Sequence, residues 1–79
     1  MRVRVKLFAF LGRYASDAPP GTPFDLELPA GTTVDALIEQ LKLPRDEVKV
    51  IFVNGRSRSP EWLLVDGDDL GIFPPIAGG

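Results

Sequence analysis

The residues best suited to chemistry close the sequence: Gly78-Gly79, directly after Phe73-Pro74-Pro75-Ile76-Ala77. The group they offer is the carboxylate of Gly79. Glycine is about 7% of average usage, so a terminal Gly-Gly arises by chance in roughly one chain in two hundred, and a frayed end is the ordinary explanation of last residues. The stretch before the glycines argues otherwise, because it is apolar and stiff where an idle tail would be polar. Proline holds φ near about −65°, so Pro74-Pro75 forms a short extended spacer. Gly78 and Gly79 carry no Cβ to obstruct a narrow channel. The four residues after Pro75 reach roughly 13 Å when extended, enough to carry Gly79 into a partner's active site while the folded body stays outside.

The rest of the composition assigns no catalytic group to the chain itself. With 0 cysteines there is no thiol nucleophile and no disulfide framework. With 0 histidines the commonest general base and the commonest metal ligand are both missing. A C-terminal carboxyl titrates near about pKa 3.5, so at neutral pH it is an anion and a poor electrophile that something else must activate. These features describe a substrate or carrier better than an enzyme.

The formal charge of −2 and a pI near 4.9 argue against a protein built to hold nucleic acid phosphates. The opening Met1-Arg2-Val3-Arg4-Val5-Lys6 lacks the apolar core of a signal peptide, and no apolar run approaches the roughly 20 residues of a membrane span. A cytoplasmic protein is expected, without a membrane partner. At 79 residues the chain is one domain, near the lower size at which a single core suffices. Residues 1–75 are assigned to that domain and residues 76–79 to a flexible tail.

The elements that must position the tail follow from the hydrophobic pattern. Residues 3–10 alternate, with Val3, Val5, Leu7 and Ala9 on a core face and Arg2, Arg4, Lys6, Phe8 and Phe10 opposite. This is a strand that points Phe8 outward. Residues 12–23 read as a loop, with a short helical turn over residues 11–15 before it. Phe24, Leu26 and Leu28 mark a second strand over residues 24–28, antiparallel to the first. Thr33 caps a helix striped by Val34, Leu37, Ile38 and Leu41, about two and a half turns long and ending before Pro44. Residues 49–53 form a third strand that turns at Asn54-Gly55. Arg56-Ser57-Arg58 gives a short edge strand that Pro60 stops. Trp62-Leu63-Leu64-Val65 is expected to pack a connecting turn under the sheet. Asp66-Gly67-Asp68-Asp69 turns into a last strand, with Leu70 and Ile72 on one side and Gly71 and Phe73 on the other. The fold class is α+β: a mixed sheet of four to five strands with one main helix across one face. If the last strand lies parallel beside the first, the tail leaves from the middle of the sheet's end. The pattern does not force that pairing.

Over nearly all of its length the chain resembles the MoaD/ThiS family of ubiquitin-like sulfur-carrier proteins, whose fold is the β-grasp. The resemblance is carried by Val5-Lys6-Leu7-Phe8-Ala9, by Leu28-Pro29-Ala30-Gly31-Thr32-Thr33-Val34 and by Val53-Asn54-Gly55. Its most specific part is the block from Asp66-Gly67-Asp68-Asp69 through Phe73-Pro74-Pro75 to Gly78-Gly79. It implies that a ubiquitin-activating-like adenylyltransferase uses ATP to adenylate Gly79, and that a sulfur donor enzyme then converts it to a thiocarboxylate. The chain itself would bind no cofactor and would not be an enzyme. Pro74, Pro75, Ile76, Ala77 and Gly78 would be the segment inserted into partners.

Within the family, the long first loop and the Phe-Pro-Pro ending look like the small subunit of molybdopterin synthase. That would make the large catalytic subunit a partner and molybdopterin, with molybdenum or tungsten, the destination of the sulfur. The short stretch over residues 42–48 is less like that branch. The alternatives are carriage for thiamine or tRNA thiolation, a ubiquitin-like protein modifier, and an interaction module whose tail has no chemistry.

Three further groups invite readings. Phe8 and Phe73 fall on the outer parity of strands that would be neighbours, giving an apolar patch beside the tail; such patches often mark contact surfaces, and the resemblance makes this one a docking surface. Arg2, Arg4 and Lys6 could steer acidic partners or bind phosphate, but suit a solvated cationic face better. Asp66, Asp68 and Asp69 fit a turn rather than a metal site, since the loop lacks the ligand set of a calcium loop.

Overall fold

The computed structural model describes residues 1–14 and 19–75. Five strands form one mixed sheet: β1 Arg2–Leu7, β2 Phe24–Glu27, β3 Val50–Val53, β4 Arg56–Ser57 and β5 Asp69–Phe73, in the order β2-β1-β5-β3-β4. The helix α1, Val34–Gln40, lies between β2 and β3 in the chain. Alternation in β1 buries Val3, Val5 and Leu7 and exposes Arg2 and Arg4, as a strand with one covered face requires. β5 does the same with Leu70 and Ile72, both fully buried. These side chains meet Val34, Leu37 and Ile38 of α1 in a single core.

The parallel pairing left open by the pattern is present. β1 runs parallel to β5 with Lys6 opposite Gly71 and Leu7 opposite Ile72, while β3 and β2 flank the pair antiparallel. β5 is therefore the central strand of the five, with β1 and β3 on either side, and it delivers the chain to Pro74-Pro75 from there.

The helix starts as its cap residue dictates. Thr33 is extended, and its Oγ1 accepts from the Ala36 N–H at 3.2 Å. The N–H groups of Val34 and Asp35 donate to the carbonyls of Trp62 at 2.9 Å and Pro60 at 2.8 Å. Those donors have no partner inside the helix, so the connecting segment is bound to the helix start by backbone bonds. α1 stops at Gln40, earlier than Pro44 demands, because Lys42 turns left-handed at φ 59°.

Three expectations are corrected. β1 ends at Leu7, not Phe10: Ala9 adopts φ 51° and begins a 3-10 helix, Ala9–Tyr14, so Ala9 and Phe10 are exposed instead of continuing the two faces. The predicted turn over residues 11–15 thus begins two residues early, and Ala15 lies outside the described residues, as does part of the predicted loop. Trp62-Leu63-Leu64-Val65 does not pack under the sheet as a unit. Only Leu64 is buried, at 2% exposure: the segment is bonded along the helix start, Leu63 and Val65 face solvent from either side of Leu64, and Trp62 is exposed as well.

Candidate functional site

The site is built on the base of the tail and on the sheet face opposite α1. Phe8 follows β1 and keeps its backbone in the ladder, its N–H donating to the Ile72 carbonyl at 3.1 Å. Its ring stacks on Phe73 with centroids 4.2 Å apart and planes 3° from parallel. Phe52 of β3 closes the cluster edge-on against Phe73, at 5.7 Å and 86°. All three rings are half-buried. Outer parity for Phe8 and Phe73 was legible from alternation. Phe52 was missed because Val50-Ile51-Phe52-Val53 is apolar throughout and so declares no face; only its register opposite Gly71 places it here.

Two glycines shape this face. A Cβ on Gly71 would stand 3.3 Å from Cε2 of Phe8 and 3.5 Å from Cε1 of Phe73, so the missing side chain leaves room for the rings to lie over the strand. Gly21, at φ 84°, donates its N–H to the Leu7 carbonyl at 2.8 Å and abuts the same ring. A shallow hollow of about 350 Å³ results, lined by Phe8, Phe52 and Phe73 and rimmed by Lys6, Asn54 and Asp69.

The tail starts where the sheet stops. The Lys49 N–H donates to the Phe73 carbonyl at 2.8 Å, the last ladder bond of β5. Pro74 is buried and Pro75 exposed, so the chain leaves the body between them. Ile76, Ala77, Gly78 and Gly79 lie outside the described residues.

The cations of β1 do not form an anion site. Arg2 pairs with Glu27 at 2.8 Å, Arg4 with Asp25 at 3.6 Å and Lys6 with Asp69 at 4.0 Å. The hydrogen bond to Glu27, then the charges of Glu27 and Asp25, hold the Arg2 guanidinium above its already high pKa. Exposed pairs of this kind contribute little to stability, but they cancel the strip's charge.

The aspartates of the turn diverge rather than converge. Asp68, 4% exposed, accepts from Asn54 Nδ2 at 2.9 Å and from the Val65 N–H at 2.8 Å. Asp66 accepts from the Arg2 N–H at 2.7 Å, and Asp69 donates its own N–H to Asn54 Oδ1 at 2.9 Å. Among the described residues no cluster of metal-ligating side chains is found. Nor is any described helix long and apolar enough to cross a membrane.

Comparison with known proteins gives a consistent set of matches. The model of the ThiS family matches residues 5–79. A solved structure of a putative molybdopterin converting factor, subunit 1, from Pyrococcus furiosus is 34% identical, with 95% of this chain and 98% of that one covered at a TM-score of 0.71. SAMP1 from Haloferax volcanii is 21% identical over 100% of both chains, with a TM-score of 0.74. A chain in the complex of subunits 1 and 2 of molybdopterin-converting factor from Helicobacter pylori is 20% identical over 100% of both chains, at 0.62. No curated protein matches.

Proposed function

The chain belongs to the ThiS family of ubiquitin-like sulfur carriers, and from that premise we propose that the Gly79 carboxylate is the group on which the sulfur travels. The observation that carries the reading is the match of the family through Gly79 together with the placement of the tail's base. β5 is a central strand, its last ladder bond falls at Phe73, and a proline pair then projects the chain from the middle of the sheet's end.

The chemistry assigned to Gly79 is done by partners. A carboxylate oxygen attacks the α-phosphorus of ATP held by a ubiquitin-activating-like adenylyltransferase, releasing pyrophosphate and leaving an acyl adenylate. A sulfur donor then displaces AMP, and the C-terminus becomes a thiocarboxylate. The chain supplies reach, slenderness and a docking face; ATP belongs to the partner, and its use fits a cytoplasmic setting. Phe8, Phe52 and Phe73 form that docking face, since partly exposed aromatics beside a reactive tail can be covered only when a partner closes over both.

The favoured destination is molybdopterin, delivered inside the large catalytic subunit of its synthase. Support comes from the Phe73-Pro74-Pro75 ending and from the 34% identity to the Pyrococcus furiosus protein described as subunit 1 of a molybdopterin converting factor. The likeness to SAMP1, called a small archaeal modifier protein, favours a second reading in which activated Gly79 is joined to a target lysine. Both readings share the adenylation step. ATP–pyrophosphate exchange with the activating enzyme tests it: the unaltered chain supports exchange, and Gly78→Val, whose side chain obstructs the channel, reduces it strongly. Undiminished exchange by Gly78→Val would overturn the tail-insertion account.

A further inference from the structure

A second surface lies on the helix-bearing side of the sheet, away from Phe8 and Phe73. Trp62, Leu63 and Val65 are 39%, 55% and 58% exposed, and among the described residues they are three of the four large hydrophobics so exposed. They line a hollow of about 270 Å³ with Arg56 and Arg58. It adjoins the β3–β4 hairpin and the start of β5, whereas the tail leaves from the other end of that strand.

The charge state of this surface differs from that of β1. Arg2, Arg4, Lys6, Arg13 and Arg45 each have a carboxylate within ion-pair distance, while Arg56 and Arg58 have none among the described residues. Arg58 is also held in place: its guanidinium carbon sits 3.9 Å from the centroid of the Trp62 ring. Its Nε is buried without an acceptor. A stacked guanidinium is weakly hydrated and keeps a planar fork suited to a carboxylate. The one carboxylate lining the hollow, Asp68, is already occupied by Asn54 and Val65.

We propose that Arg56, Arg58, Trp62, Leu63 and Val65 form a second protein-docking site, whose occupant is a partner segment in which acidic residues alternate with apolar ones. Exposed Trp and Arg together are the residue types that dominate binding energy at interfaces. Leu63 and Val65 point to solvent from either side of buried Leu64, as an extended chain requires, and offer apolar contacts at a two-residue spacing. Charge complementarity selects the acidic partner. A second copy of this chain is a poor occupant, because its own stretch of alternating acidic and apolar residues, Asp25-Leu26-Glu27-Leu28, already has both carboxylates paired with Arg4 and Arg2 and its leucines packed in or against the core.

Trp62 is the sole tryptophan, so its fluorescence reports on this surface directly. The probe is a synthetic peptide alternating glutamate and leucine, compared with lysine–leucine and glutamate–serine peptides of equal length. The glutamate–leucine peptide is expected to shift Trp62 emission to the blue with saturation, and the two controls to bind about tenfold more weakly or less. Arg56→Gln and Leu63→Ser, both at exposed positions, should each weaken binding about tenfold with the circular dichroism spectrum unchanged. The proposal is overturned by an unmoved Trp62 signal, by equal binding of either control peptide, or by indifference to the Arg56 and Leu63 substitutions. A blue shift on concentrating the protein alone would instead assign the surface to a second copy.

Discussion

The Phe8 and Phe73 rings lie face to face, 4.2 Å apart and 3° from parallel, although 65 positions separate them in the sequence (73 minus 8). The parallel pairing of β1 with β5 brings them together, and the tail leaves two residues later. Aromatic pairs contribute about 0.5–1.5 kcal/mol beyond the area they bury. A double-mutant cycle with Phe8→Ala and Phe73→Ala, followed by urea unfolding, should give a coupling energy in that range. Under the proposed function each single variant also raises KM for the activating enzyme about tenfold with a smaller change in kcat.

Gly71 sets the room under those rings. Its backbone is not left-handed, so the constraint is steric: a Cβ would already stand 3.3 Å from the Phe8 ring. Gly71→Val should lower the unfolding free energy by about 1–3 kcal/mol, the usual cost of overpacking. It should also weaken docking in parallel with Phe8→Ala.

Asp68 is the one buried charged side chain among the described residues. Asp68→Ala strands the Val65 N–H and the Asn54 amide, and is expected to cost about 1–3 kcal/mol in urea unfolding. Because the residue holds the turn that launches β5, amide exchange at Val65 should accelerate in the same variant.

Thr33→Ala removes the acceptor for the Ala36 N–H and should cost about 1 kcal/mol. Thr33→Ser keeps the hydroxyl and should recover most of the loss in the same unfolding measurement.

Legibility in the sequence followed the strength of local pattern. Period-two alternation placed β1, β2 and β5 and gave Phe8 and Phe73 their outer face. Thr33 and the Val34/Leu37/Ile38 stripe placed α1. Pattern failed where a left-handed residue intervened, since Ala9 continues the apolar parity of Val3, Val5 and Leu7 yet turns the chain. It failed at Phe52, inside a run that is apolar on both faces. It also misplaced Trp62, Leu63 and Val65, whose exposure follows from backbone bonds from α1 to residues 60 and 62 that no local spacing encodes. The pairing of β1 with β5 is long-range and became visible only in the sheet.

The central claim is that Gly79 carries sulfur, and the intact mass of the protein tests it most directly. After incubation with the activating enzyme, ATP and a sulfur donor, the mass should rise by the exchange of one oxygen for one sulfur, with the change confined to a C-terminal peptide containing Gly79. A mass ladder on other proteins would instead assign the tail to conjugation. An unchanged mass, with an activating enzyme shown to be competent on a known carrier, would contradict the account.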